Sequence, residues 1–246
     1  MDWNPERVWD GMAQYLSSFA DEVRDDIKAM LVISAHWEED TVKVTGNPNP
    51  ALIYDYYGFP PHTYDLKWPA EGNEGLANLV SATLNNGGIE CEVDKERGFD
   101  HGVFIPLLLT FPEAHIPTIQ ISLNSNLSPE THLQIGRLLK PLRDESVLII
   151  GSGMSYHDVG ALMGRKEAAG SDEFDHWLSD SILLPSEKRE ERLLNWSNAP
   201  SARLCHPREE HLMPLHVVVG AATGGKGKID YNETVLGAKI SAYQFN

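Results

Sequence analysis

Cysteine and basic residues are both scarce in this sequence. Cys91 and Cys205 show no metal-binding spacing and are too few for a disulfide framework, which is typical of a protein from a reducing compartment. The sequence has 20 Lys and Arg residues and 36 Asp and Glu residues, so its formal net charge is −16. Phosphate binding needs a basic surface, and no basic cluster here is long enough to form one. We therefore predict that nucleic acid is not a partner.

Long apolar runs are also missing. No run approaches the roughly 20 residues that a membrane span requires, and the first residues lack the basic and apolar regions of a secretory signal. We therefore predict a cytoplasmic protein without a membrane partner. Its 246 residues, 41% hydrophobic and 23% charged, are ordinary for a globular protein with a large core. We expect a single domain over residues 1–246.

Short runs at 30–35 and 147–150 predict buried strands of a parallel sheet, because both runs are mainly apolar and contain β-branched residues. Weaker patterns predict further strands at 41–45, 89–93 and 116–122. Helical spacing of apolar residues predicts helices at 4–28, 74–86, 103–111, 128–143, 171–184, 187–195 and 205–222. A final alternating stretch at 235–243 predicts an edge strand or a hairpin. This order predicts an α/β fold with a mostly parallel central sheet flanked by helices.

Histidines and acids recur just after strands or at the starts of helices. Open α/β sheets bind ligands beyond the carboxyl ends of their strands, where such side chains would meet. Each residue alone has a simpler explanation, such as a hydrogen bond that closes a strand or a helix cap. Together, histidines with a carboxylate are typical of non-haem iron or catalytic zinc sites. The residues are His36, Asp100, His101, His157, Glu210 and His211.

A long segment at 47–73 is rich in proline and aromatic residues. Loops of this length are usually functional or disordered, and the aromatic content argues against disorder. We interpret the segment as an ordered wall or lid of the site, with simple surface packing as an equally weighted alternative.

Six ordered motifs resemble the class III extradiol ring-cleavage dioxygenases of the LigB-like, DOPA-dioxygenase type. The resemblance covers the chain from about residue 29 to its end and implies a phosphorylase/hydrolase-like α/β fold. The motifs are Ser34-Ala-His36-Trp37, Tyr57-Gly-Phe59-Pro with Tyr64-Asp and Pro69-Ala, Gly98-Phe-Asp-His101-Gly102, Pro117-Thr-Ile-Gln-Ile-Ser122, Gly151-Ser-Gly-Met-Ser-Tyr-His157 and Glu210-His211-Leu-Met-Pro-Leu.

The resemblance implies a mononuclear iron(II), with zinc possible in isolated protein, that binds a small aromatic diol and activates it toward dioxygen. The implied metal ligands are His36, His157 and His211, with Glu210 as a neighbouring carboxylate. The implied catalytic residues, which take up and return a hydroxyl proton, are His101 and His157. The implied substrate-binding residues are Tyr57, Phe59, Asp100 and His101.

One family feature is missing from the sequence. Members begin with a buried strand and a His-Gly turn that supplies a further ligand, whereas no histidine precedes His36 here. We therefore expect weak metal binding and little activity, whether the start lies at an internal methionine or the chain is a natural variant. An exposed sheet edge would also favour a homodimer. Two alternatives remain open: a non-catalytic binding member of the superfamily, and a zinc hydrolase.

Overall fold

A computed structural model describes residues 6–23 and 26–246 of the chain. By its contacts the chain forms two compact units, which are described separately below. The first unit comprises Met1–Asn126 and Pro141–Ser152, and the second comprises Leu127–Lys140 and Gly153–Asn246. The expectation of a single domain over 1–246 stays a prediction.

A five-stranded sheet forms the centre of the first unit, in the order β3-β2-β4-β1-β5. Strands β4, β1 and β5 are mutually parallel, as are β2 and β3, and only the β2–β4 junction is antiparallel. The predicted mostly parallel α/β sheet is therefore confirmed. Homodimer formation at an edge of the sheet stays a prediction. The strands are β1 (Ala29–Glu39), β2 (Val42–Thr45), β3 (Cys91–Asp94), β4 (Thr118–Asn124) and β5 (Val147–Ser152).

Among the described residues of the first unit, three α-helices accompany this sheet. They are α1 (Asp10–Phe19), α2 (Glu74–Asn86) and α3 (His101–Thr110). Helix α2 has the predicted bounds, because the Asn73 side chain caps its first turn by accepting the N–H of Leu76 at 2.9 Å. Helix α1 is shorter than predicted, since the backbone becomes extended at Val23. The predicted cap Asn4 and first-turn residue Pro5 lie outside the described residues.

Strand β1 is longer than predicted and contains a bulge. Its pairing with β4 is regular up to Ile33, which lies opposite Ile121, and resumes only at Glu38, opposite Leu123. Four residues of β1, from 34 to 37, therefore bulge where β4 contributes a single residue. Bulges redirect side chains, so His36 lies within an irregular part of the strand and not beyond its end.

The second unit is mostly helical and ends in a two-stranded hairpin. Its helices are α4 (Pro129–Leu139), α5 (Val159–Leu162), α6 (Ser171–Leu183), α7 (Ser186–Leu194), α8 (Ala202–Cys205) and α9 (Met213–Ala221), and its strands are β6 (Gly227–Val235) and β7 (Ala238–Phe245). The hairpin interpretation of the C-terminal segment is therefore confirmed.

One helix prediction in this unit is wrong. The sequence predicts a helix over 205–222, but α9 begins only at Met213. Proline disfavours a helical conformation in the residue before it, and His206, which precedes Pro207, has φ −129° and ψ 84°. The chain therefore leaves α8 and turns before α9 starts.

Within the described residues, no helix is both long and apolar enough to cross a membrane.

Candidate active site

Two of the predicted histidines meet in the first unit. His36 comes from the bulge of β1 and His101 from the first position of α3, and their ring centroids lie 3.9 Å apart. Gly102 permits this approach, because a Cβ there would lie 2.4 Å from Ser34 Oγ and 3.0 Å from His36 Cδ2. The glycine after His101 is thus required by the close contact of α3 with β1.

Asp55 joins this pair and was not predicted from the sequence. Its Oδ1 accepts the main-chain N–H of His101 at 2.9 Å and lies 2.8 Å from His101 Nδ1. Burial alone would raise the pKa of Asp55, but the hydrogen bonds from His101 outweigh it and hold that pKa below its ordinary value. Asp55 is therefore an ionised acceptor for this histidine.

Asp100 occupies the N-cap position of α3 as predicted, but its side chain caps no N–H group of the helix. The carboxylate is fully buried and accepts hydrogen bonds from Ser34 Oγ at 2.7 Å, from Arg97 at 3.3 Å and from Gln120. Ser34 Oγ in turn accepts the main-chain N–H of His36 at 3.2 Å. Asp100 therefore supports the bulge that carries His36. Its predicted contact with substrate stays a prediction.

Hydrogen bonds of its tyrosines stabilise the aromatic loop. One of these tyrosines, Tyr56, contacts a histidine of the pair. Tyr56 presents its ring edge-on to His101 at a centroid distance of 5.6 Å, and Phe59 packs against Tyr56 at 5.5 Å. The Tyr57 side chain, a predicted substrate contact, is 89% exposed. The substrate contact of Tyr57 stays a prediction, whereas the contact of Tyr56 with His101 was not predicted.

A second cluster forms within the second unit from His157, Glu210 and His211. The two imidazole rings stack with centroids 3.2 Å apart and planes 10° apart. Glu210 Oε1 lies 2.9 Å from His211 Nδ1 and 3.8 Å from His157 Nδ1. A carboxylate on Nδ1 of a histidine leaves Nε2 available to a metal. The predicted proximity of Glu210 to His211 is thus present in the structure.

The electrostatics of this cluster favour an uncharged imidazole beside an ionised acid. Burial and the neighbouring His211 lower the pKa of His157 to about 3. Burial would raise the pKa of Glu210, but hydrogen bonds from His211 and the main chain, together with the charges of His211 and Arg208, outweigh it and bring that pKa to about 2. Metal ligands must be deprotonated, and both groups satisfy this condition at neutral pH.

The turn that carries His157 is held by close backbone contacts. A Cβ on Gly153 would lie 2.1 Å from the main-chain oxygen of His211, so only glycine fits this approach. His206 is fully buried, and its Nε2 lies 2.9 Å from the main-chain oxygen of Ser155. His206 was not singled out from the sequence as a supporting residue, although Pro207 after it marks the turn.

Both clusters have donor sets that fit a divalent metal ion. In each cluster the imidazole nitrogens and the carboxylate oxygen lie within 4.8 Å of one another, in His36, Asp55 and His101 and in His157, Glu210 and His211. Histidine with carboxylate is the donor chemistry of catalytic zinc and non-haem iron. The predicted ligands therefore lie in groups that can hold a metal.

Two known proteins that are similar to this chain over most of its length are named as dioxygenases. The chain is 39% identical over 229 residues to dioxygenase tasH of Hapsidospora irregularis, which covers 88% of this chain and 71% of that protein. It is 42% identical over 198 residues to a 4,5-DOPA dioxygenase extradiol of Beta vulgaris, which covers 79% of this chain and 73% of that protein.

A solved structure and a family model extend the match to most of the chain. The crystal structure of the uncharacterized protein JW3007 from Escherichia coli K12 superposes with a TM-score of 0.79 at 25% identity, covering 94% of this chain and 90% of that one. The model for the catalytic LigB subunit of aromatic ring-opening dioxygenase matches residues 3–240. The chain therefore belongs to the LigB family of aromatic ring-opening dioxygenases, as its motifs predict.

Proposed function

We propose that this chain catalyses the metal-dependent extradiol cleavage of a catechol-type aromatic by dioxygen. The observation that carries the proposal is the stacked pair of His157 and His211 beside Glu210, in a chain of this family. Relatives named 4,5-DOPA dioxygenase extradiol, from Beta vulgaris at 42% identity and from Escherichia coli at 31%, support a catechol as the substrate class.

The proposed metal ligands are His36, His157 and His211, and the proposed metal is iron(II), with zinc as the ion of an isolated but inactive form. When bound, the metal would coordinate the two oxygens of the diol and bring dioxygen beside the ring. Low pKa values keep His157 and Glu210 in ligand-competent forms over the physiological range.

The side chains of the first unit supply proton transfer and substrate contacts in this proposal. The His101 imidazole accepts a proton from a substrate hydroxyl and returns it after the ring has opened. Tyr56 and Phe59, which pack on one another, form an aromatic wall beside His101 against which the substrate ring lies.

Metal binding is tested by anaerobic reconstitution with iron(II) or zinc(II), followed by dialysis and elemental analysis. We expect H36A and H211A to retain much less iron than the unmodified chain, because each loses a ligand nitrogen. The matched control is H176A, since the His176 side chain on α6 is 82% exposed. Equal iron retention in all four proteins would contradict the ligand assignment.

The same experiment decides how well the chain holds its metal. The expectations of weak metal binding and of little activity stay predictions. The first fails if one iron per chain survives extensive dialysis, and the second fails if the iron-loaded chain turns over a catechol rapidly. Iron and catechol bound together without oxygen consumption would instead support a binding member of the superfamily.

A further inference from the structure

The contact between Asp55 and His101 fixes where the protons of the imidazole lie. An ionised carboxylate can only accept hydrogen bonds. Because Asp55 Oδ1 lies 2.8 Å from His101 Nδ1, that nitrogen carries the hydrogen, and the neutral ring keeps its lone pair on Nε2. The same oxygen also accepts the main-chain N–H of His101 at 2.9 Å, so it holds both the backbone and the ring of one residue.

Asp55 also supplies the helix cap that Asp100 does not. His101 is the first residue of α3, where main-chain N–H groups have no partner within the helix. The Asp100 side chain makes no cap hydrogen bond, whereas Asp55 binds the N–H of His101 from outside the helix. A carboxylate at this end is also favoured by the helix dipole. The start of α3 and the ring that it carries are therefore fixed by one group.

Its two neighbours hold the Asp55 backbone in place. The Tyr54 hydroxyl donates to the main-chain oxygen of Leu66 at 2.6 Å, and the Tyr56 hydroxyl donates to that of Thr63 at 2.5 Å. The Tyr56 ring also makes a T-shaped contact with the His101 ring, with an interplanar angle of 87°. Asp55 thus projects from a segment anchored on both sides, which reduces the entropy lost in positioning it.

We propose that Asp55 is a positioning residue that holds His101 as the Nδ1–H tautomer and presents Nε2 as the proton acceptor. This inference rests on the proposed function for the identity of the proton donor, a substrate hydroxyl. The O–H bond of the substrate breaks and an Nε2–H bond forms, with no change in oxidation state. The resulting imidazolium keeps its Nδ1–H bond to Asp55, and the reverse transfer returns the proton.

The tautomer is measured without substrate or metal. Long-range proton–nitrogen NMR spectra of the protein labelled with ¹⁵N-histidine distinguish protonated from unprotonated ring nitrogens, and an H101Q variant assigns the signal. We expect His101 to be protonated at Nδ1 alone in the unmodified chain and in D55N, whose amide oxygen still accepts. In D55A we expect protonation to move toward Nε2. His101 protonated at Nε2 in the unmodified chain, or an unchanged tautomer in D55A, would overturn the proposal.

Measurement of enzyme turnover tests the role of Asp55 independently of the tautomer. We expect D55A to lower kcat by on the order of 10²-fold with little change in KM, and D55N to lose less. The control D65N changes an exposed acid of the same loop and should match the unmodified chain. Iron content should be equal in all variants, and a loss of iron in D55A would make Asp55 a ligand and overturn the positioning role. An inactive unmodified chain would count against the proposed function, while the tautomer still decides the role of Asp55.

Discussion

Replacing Gly136 by alanine tests the packing of α4 against α9 in the second unit. A Cβ on Gly136 would lie 2.0 Å from the main-chain oxygen of Val217 and 2.8 Å from the nitrogen of Ala221. Ordinary contacts begin at 3.4 Å, so the two backbones must separate by about 1.4 Å, the difference between 3.4 and 2.0 Å. Neither contact atom belongs to a side chain that could rotate away.

The magnitude follows from two opposing effects. Alanine is favoured over glycine within a helix by about 1 kcal/mol, whereas overpacking costs typically about 1–3 kcal/mol and more when backbone must move. Because both contacts of the added Cβ are with backbone, we expect a net loss of about 2 kcal/mol in the free energy of unfolding. This corresponds to a melting temperature lower by roughly 4–8 °C.

Urea titration and thermal melting measure this loss, with G75A as the control. Gly75 lies in α2, and a Cβ there would meet nothing closer than Asn73 Oδ1 at 3.5 Å. We expect G75A to be as stable as the unmodified chain or more stable, by up to about 1 kcal/mol. If G136A were as stable as G75A, the account of helix packing would be wrong. Since α9 begins two residues after His211, G136A should also weaken iron retention.

Three further results are expected. The G102A variant should retain less iron, because its Cβ would clash with Ser34 Oγ at 2.4 Å and press on His36 Cδ2 at 3.0 Å, and so shift the bulge that carries His36. Elemental analysis that finds undiminished iron would refute the close-approach argument. Burial lowers the pKa of both His132 and His206 to about 4. The unfolded chain binds protons at these histidines near pH 6.5, whereas the folded chain does not. Urea titrations should therefore show the free energy of unfolding falling from pH 6.5 to 4, by at most about 1.4 kcal/mol per pH unit for each histidine. A free energy of unfolding that is constant between pH 6.5 and 5 would contradict this. Burial raises the pKa of the Cys91 thiol to about 11 and that of the Cys205 thiol to about 12. A thiol reagent at pH 8 should therefore label neither cysteine in the folded protein and both cysteines in urea.

Local sequence patterns predicted most of the elements. The aliphatic runs of β1 and β5 identify buried strands without knowledge of their partners, and the Asn73 cap identifies the start of α2. These signals act within a few residues of chain. The bulge at 34–37 was not predictable in the same way, because it depends on the register between β1 and β4.

The candidate site shows the same division between local and distant effects. The histidines stand out in the sequence because glycines and the ends of apolar runs mark their positions. Asp55 lies 46 residues from His101, and no local pattern links the two residues. The buried hydrogen bonds of Asp100 were not predicted, because Gln120, one of its partners, comes from the distant strand β4. Partners separated by this much chain require the three-dimensional structure.

Oxygen uptake by the iron(II)-loaded chain with a catechol as substrate tests the central claim most directly. The account predicts that oxygen is consumed slowly but in step with the catechol, and that the ring-opened product carries both oxygen atoms. The H36A and H211A variants should neither consume oxygen nor form this product. Iron-loaded chain that binds the catechol but consumes no oxygen would contradict the proposed ring cleavage.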